Sequence, residues 1–231
     1  MPFGLFDPTW FLVLPGLAFA MWAQFKVRST YEKWSRVPSS RAQDGETIAR
    51  SILVRNGLPD VEVGPVPGVL SDHYDPRKHT VNLSEGIYHS RSVAALSVAA
   101  HECGHAIQHK EGYVPLQLRS AVAPVAGFSS MAAFPLFFIG FIFGQGSMAW
   151  LMDLGIILFG TALAFHVVTL PVEFDASSRA LRQLESGGYL AQGEMQGARE
   201  VLNAAALTYV AATAMSALQL IRLVLLRNSR N

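Results

Sequence analysis

Between Ser120 and Met152 the chain carries no charged residue, and no other feature limits its fold so strongly. About 20 residues cross the hydrocarbon layer of a bilayer as a helix, so this run is long enough for a membrane hairpin. Gly144-Gln145-Gly146-Ser147 supplies turn chemistry within it. The run therefore divides into two spans, roughly 122–143 and 148–170. A further span covers roughly 6–25, with Trp10 and Trp22 near its ends, where amphipathic rings favour the membrane interface. The last covers roughly 204–226, and its Ala205, Ala212 and Ser216 permit close helix approach. Composition agrees: 51% of residues are hydrophobic, 15% are charged and the mean hydropathy is +0.28, leaving too little polar surface for a soluble globule.

Charge orients these spans. Ala18-Phe19-Ala20 has the form of a signal-peptide cleavage site. However, Asp7 precedes the apolar run and Lys26, Arg28, Lys33 and Arg36 follow it, the reverse of a signal peptide. The expectation is an uncleaved anchor with its N-terminus outside. Four crossings then place residues 26–119 and 172–203 on one face, and their share of Lys and Arg makes that face cytoplasmic. Arg227 and Arg230 fall on the other side in this scheme and argue for an incomplete last crossing. The expected organisation is an anchor (1–25), a catalytic region (26–119), a membrane hairpin (120–171), a helical segment (172–203) and a C-terminal span with its tail (204–231). The formal net charge of +1 points to no nucleic-acid partner.

The polar region reads as mixed α and β structure. Residues 41–57 form an amphipathic helix with Asp44 as N-cap, Ile48, Ile52 and Leu53 on one face, and Gly57 as stop. Val61 and Val63 alternate in a short strand that Pro65 and Pro67 confine to a sheet edge. Ser71-Asp72-His73-Tyr74-Asp75-Pro76 reads as a turn, and His79 to Leu83 as a second strand. A long helix starts near Ser92 and stops at Gly112.

That helix contains His101-Glu102-Cys103-Gly104-His105. At 100° and 1.5 Å per residue, the two histidines lie about 40° apart on one face and roughly 6 Å apart along the axis. Two imidazoles so placed can share one zinc ion, with Glu102 beside them as the base for an attacking water. Cys103 points to nearly the opposite side and is excluded as a ligand. As the only cysteine, it also forms no internal disulfide. A catalytic zinc needs a third ligand. His109 lies about 80° round the helix and roughly 12 Å along it from His101, too far to share the ion. Gln108 and Glu111 also depart from the extended three-histidine motif. Glu173, just after Pro171, is the better candidate, although a carboxylate at the start of a helix also has a purely structural use.

The run from Ala99 to His109, with Asp72-His73-Tyr74-Asp75-Pro76-Arg77, Leu170-Pro171-Val172-Glu173-Phe174 and Ala176-Ser177-Ser178-Arg179-Ala180, resembles the YugP-type neutral zinc metallopeptidases of bacterial membranes. More distantly it is similar to HtpX-type membrane proteases, in which a glutamate on a helix following a membrane segment binds zinc. The resemblance covers essentially the whole chain and makes Glu173 the third ligand. Ser177 stands where the HtpX pattern has an aspartate behind the ligands, so that aspartate's role does not carry over. The implied fold is a membrane α-helical protein with a small α+β, gluzincin-like zinc peptidase domain. The implied activity is that of a zinc metalloendopeptidase holding one Zn2+ and cutting unfolded or membrane-associated polypeptide.

His73, Tyr113, Arg179 and Tyr209 are the candidate donors to an oxyanion or substrate, and the strand at residues 80–83 is a candidate edge for an extended substrate. His166 precedes Glu173 by seven residues on roughly the same helical face. Two alternatives compete. An intramembrane, site-2-like protease would take Asp153 as its ligand. A membrane scaffold or adaptor would hold zinc for structure, although structural zinc sites are normally closed by four protein ligands.

Overall fold

The computed structural model describes residues 8–143 and 148–229; Phe6, Asp7, the turn at 144–147 and Arg230 lie outside the described residues. The elements are α1 (Trp10–Ser35), α2 (Gly45–Arg55), β1 (Glu62–Val66), β2 (His73–Asp75), β3 (Thr80–Ser84), α3 (Glu85–Tyr88), α4 (Val93–Lys110), α5 (Val114–Phe143), α6 (Trp150–Ser186) and α7 (Gln192–Asn228). They form two compact units. The first takes the residues up to Gln24, Leu118–Leu170 and the chain from Thr208; the second takes Phe25–Gln117 and Pro171–Leu207.

The first unit holds the apolar stretches of α1, α5, α6 and α7, four helices long and apolar enough to cross a membrane. Phe137, Met152, Phe159 and Leu223 form its buried core. Small residues bring α5 and α6 together. A Cβ on Gly155 would lie 2.7 Å from the Ala133 carbonyl oxygen, and one on Gly140 would lie 2.7 Å from the Met152 nitrogen. Large apolar side chains face outward, Met131 at 79% and Phe11 at 77% exposure, as suits contact with lipid. Two cations of α7, Arg227 and Arg222, have partners here. Arg227 Nε lies 2.8 Å from Asp153 Oδ1, and Arg222 stacks 3.9 Å over the Trp10 ring. The helices outrun the spans read from hydropathy; α6 and α7 have 37 residues each, about 55 Å of helix.

In the second unit, α2 begins where Asp44 accepts a hydrogen bond from the Thr47 N–H at 3.0 Å, a cap contributing about 1 kcal/mol. Ile48, Ile52 and Leu53 are fully buried on one face, and Gly57 ends the segment at φ +68°. The sheet has the order β1-β3-β2, with β1 parallel and β2 antiparallel to β3. This corrects two sequence expectations. Residues 73–75 are a strand; the turn falls at 76–79, where Asp75 Oδ1 accepts from the Arg77 and Lys78 N–H groups. β3 is the central strand, so Thr80–Ser84 has no free edge on which to pair a substrate; the free edges belong to β1 and β2. The Ser92 side chain caps α4 by accepting from the Ala95 N–H at 3.2 Å, and Gly112 at φ +64° follows its end.

Candidate metal centre

His101 and His105 lie one turn apart on α4, and Glu173 reaches them from α6. The approach depends on Gly104, where a Cβ would stand 2.6 Å from the Ala176 carbonyl oxygen. Any side chain at position 104 would push α6 away and take Glu173 with it.

The three groups converge. Glu173 Oε2 lies 3.3 Å from His101 Nε2 and 3.7 Å from His105 Nε2, and one ligand atom from each residue falls within 4.8 Å of the other two. Two imidazole nitrogens and a carboxylate oxygen suit zinc and leave a coordination position open. Glu173 is only 2% exposed, so its negative charge faces the histidines rather than water.

The orientation of each ring is fixed from behind. Gln108 is fully buried, and its Nε2 donates to the Val172 carbonyl and to Asp175 Oδ2, both at 2.8 Å. Both of those partners only accept, so the amide must turn its oxygen towards His105 Nδ1, 3.0 Å away. Nδ1 therefore carries the proton, and the lone pair on Nε2 points at the site. Ser177 Oγ lies 3.2 Å from His101 Nδ1, so a hydroxyl stands behind that imidazole where the HtpX pattern has a carboxylate. Arg179 extends the support behind His105: its guanidinium pairs with Asp175 and Glu111 and lies over the Tyr113 ring. Sequence reading treated Gln108 only as a departure from a motif and missed its role. Replacing it with Ala is expected to weaken metal binding about 10- to 100-fold, measured by competition with a chromophoric chelator.

Glu102 is buried, and among the described residues it has no hydrogen-bond partner. Its charge acts on His105. Burial opposes a positive charge on His105, but the Glu173 carboxylate 3.7 Å away and the charge of Glu102 outweigh it and raise the imidazole pKa. Protons therefore compete with a metal for this nitrogen, and affinity should fall as pH falls. Cys103 points away, its thiol directed at the Ala49 carbonyl at 3.6 Å, and burial pushes its pKa far above the ordinary range.

The remaining sequence candidates are dispersed. His73 is on β2, its Nδ1 2.8 Å from the Ser71 carbonyl and its Nε2 3.3 Å from Asn82 Nδ2. The Tyr113 hydroxyl donates to the Pro171 carbonyl at 3.5 Å, and Arg179 is held by its two carboxylates. Tyr209 belongs to the first unit, as does His166, which lines a cavity there with Gln24, Thr208 and Ser216. Asp153 pairs with Arg227 within the first unit and precedes Glu173 by 20 residues in sequence. His109 is an exposed residue hydrogen-bonded to Tyr74.

A family model described as "Putative neutral zinc metallopeptidase" matches residues 9–228. The chain is 50% identical over 216 residues to the "Putative membrane protease YugP" of Bacillus subtilis (strain 168), which covers 94% of this chain and 95% of that protein. No solved structure matches.

Proposed function

The chain belongs to this neutral zinc metallopeptidase family, and from that premise we propose that it is a membrane metalloendopeptidase whose zinc is held by His101, His105 and Glu173. The observation that carries the reading is the meeting of two oriented Nε2 atoms and one buried carboxylate, with the buried Glu102 next to His101 having no hydrogen-bond partner among the described residues. Zinc bound there supplies Lewis acidity, which acidifies water and polarises a carbonyl.

The chain's own residues do the rest. Glu102 accepts a proton from the attacking water as the new C–O bond forms. It then delivers that proton to the amine nitrogen as the C–N bond breaks. Gln108 and Ser177 hold the imidazoles so that neither ring turns during the cycle. His73, Tyr113 and Tyr209 are the side chains to substitute in search of the oxyanion donor, since Arg179 is already committed to Asp175 and Glu111. Unfolded or membrane-associated polypeptide is the proposed substrate. The site faces the cytoplasm in this reading, because Lys and Arg concentrate in residues 26–119 and 172–203.

The test uses the purified full-length protein in detergent with an unstructured polypeptide. Chelation should abolish cleavage, and a single equivalent of zinc should restore it, with new N-termini inside the substrate sequence. Cleavage that persists after the metal has been removed would contradict the reading.

A further inference from the structure

A second pair of imidazoles lies outside the centre described above. His79 and His109 face one another with ring centroids 5.4 Å apart and an interplanar angle of 49°. The pair assigned to zinc, His101 and His105, has centroids 4.8 Å apart. The second pair is therefore also two imidazoles in direct ring contact, contributed by the turn before β3 and by α4.

Three features set this pair apart from two surface histidines in chance contact. The Tyr74 hydroxyl lies 2.9 Å from His109 Nδ1, which fixes that ring and leaves Nε2 free; supporting groups orient metal-ligating histidines in this way. Among the described residues, neither ring nitrogen of His79 nor Nε2 of His109 takes part in a hydrogen bond. His79 itself is held at φ +54°, in the left-handed region that non-glycine residues rarely adopt, with its carbonyl accepting from the Glu62 N–H at 3.2 Å. That conformation closes the turn at 76–79 immediately before β3, and the side chain it carries meets His109 on α4.

We propose that His79 and His109 form a second, solvent-open site for a divalent transition-metal ion, with Tyr74 as the positioning residue for His109. Two neutral imidazoles suit zinc, nickel or copper(II), and water completes the shell. With two imidazoles as its proposed protein ligands, this site binds more weakly than the three-ligand centre at His101, so it fills only after that centre is saturated. An ion there ties the last turn of α4 to the β2–β3 connection, joining two elements that carry or flank the peptidase residues.

The experiment is equilibrium dialysis of the full chain in detergent, first loaded with a single equivalent of zinc and then exposed to rising free zinc. Wild type should take up a second equivalent. His79→Asn and His109→Asn should each lose it while keeping the first, and Tyr74→Phe should weaken it about tenfold. Asparagine at either exposed position disturbs no core packing, so retention of the first equivalent also reports that each variant is folded. The proposal is overturned if loaded wild type takes up no second equivalent at submillimolar zinc. It is equally overturned if both histidine variants take up the second equivalent as wild type does.

Discussion

Replacing Glu102 with Gln is expected to leave the bound zinc at a single equivalent while lowering polypeptide cleavage by about 100- to 10,000-fold, the usual range for loss of a positioned general base. Gln matches Glu in shape, so the buried pocket is filled as before, but an amide cannot take a proton from water. The prediction follows from the surroundings of Glu102. A carboxylate that is buried and lacks a protein hydrogen-bond partner among the described residues serves no visible structural purpose, and it sits next to His101. Paired zinc analysis and cleavage assays check it. Simultaneous loss of metal and activity would make Glu102 part of the metal shell instead.

The second large effect concerns the third ligand. Glu173→Ala should cost more metal affinity than the 10- to 100-fold typical of removing a supporting residue, because it deletes the only carboxylate in the group. Asp153→Ala should retain zinc, since Asp153 belongs to the first unit, where it is engaged with Arg227, and is not among the three converging groups. An intramembrane site built on Asp153 predicts the opposite pattern. Zinc content of the two purified variants, measured together, separates the two arrangements.

The parts of the fold legible in sequence were those set by local chemistry. Asp44 and Ser92 cap α2 and α4 as their side chains dictate, and the glycines at 57 and 112 follow the helix ends. The apolar spans were visible because burial in lipid requires continuous hydrophobicity. Their helices run further, since hydropathy marks contact with lipid and not the end of helical hydrogen bonding. β2 was missed because three residues flanked by Asp and Pro read as a turn until β3 supplies partners. The central place of β3 rests on its parallel pairing with β1, a contact that no local pattern encodes. The same applies within the candidate site. The spacing of His101 and His105 is a property of one helix. Gln108 acquires its role through the Val172 carbonyl and Asp175, 64 and 67 residues later, and Ser177 through the close approach that Gly104 allows.

The central claim is the composition of the metal shell, and X-ray absorption at the zinc edge of the purified protein, loaded with a single equivalent, tests it most directly. The arrangement predicts two imidazoles and a carboxylate with only nitrogen and oxygen scatterers, at about 2.0–2.2 Å. A sulfur scatterer near about 2.3 Å would place Cys103 on the ion and contradict the assignment of His101, His105 and Glu173.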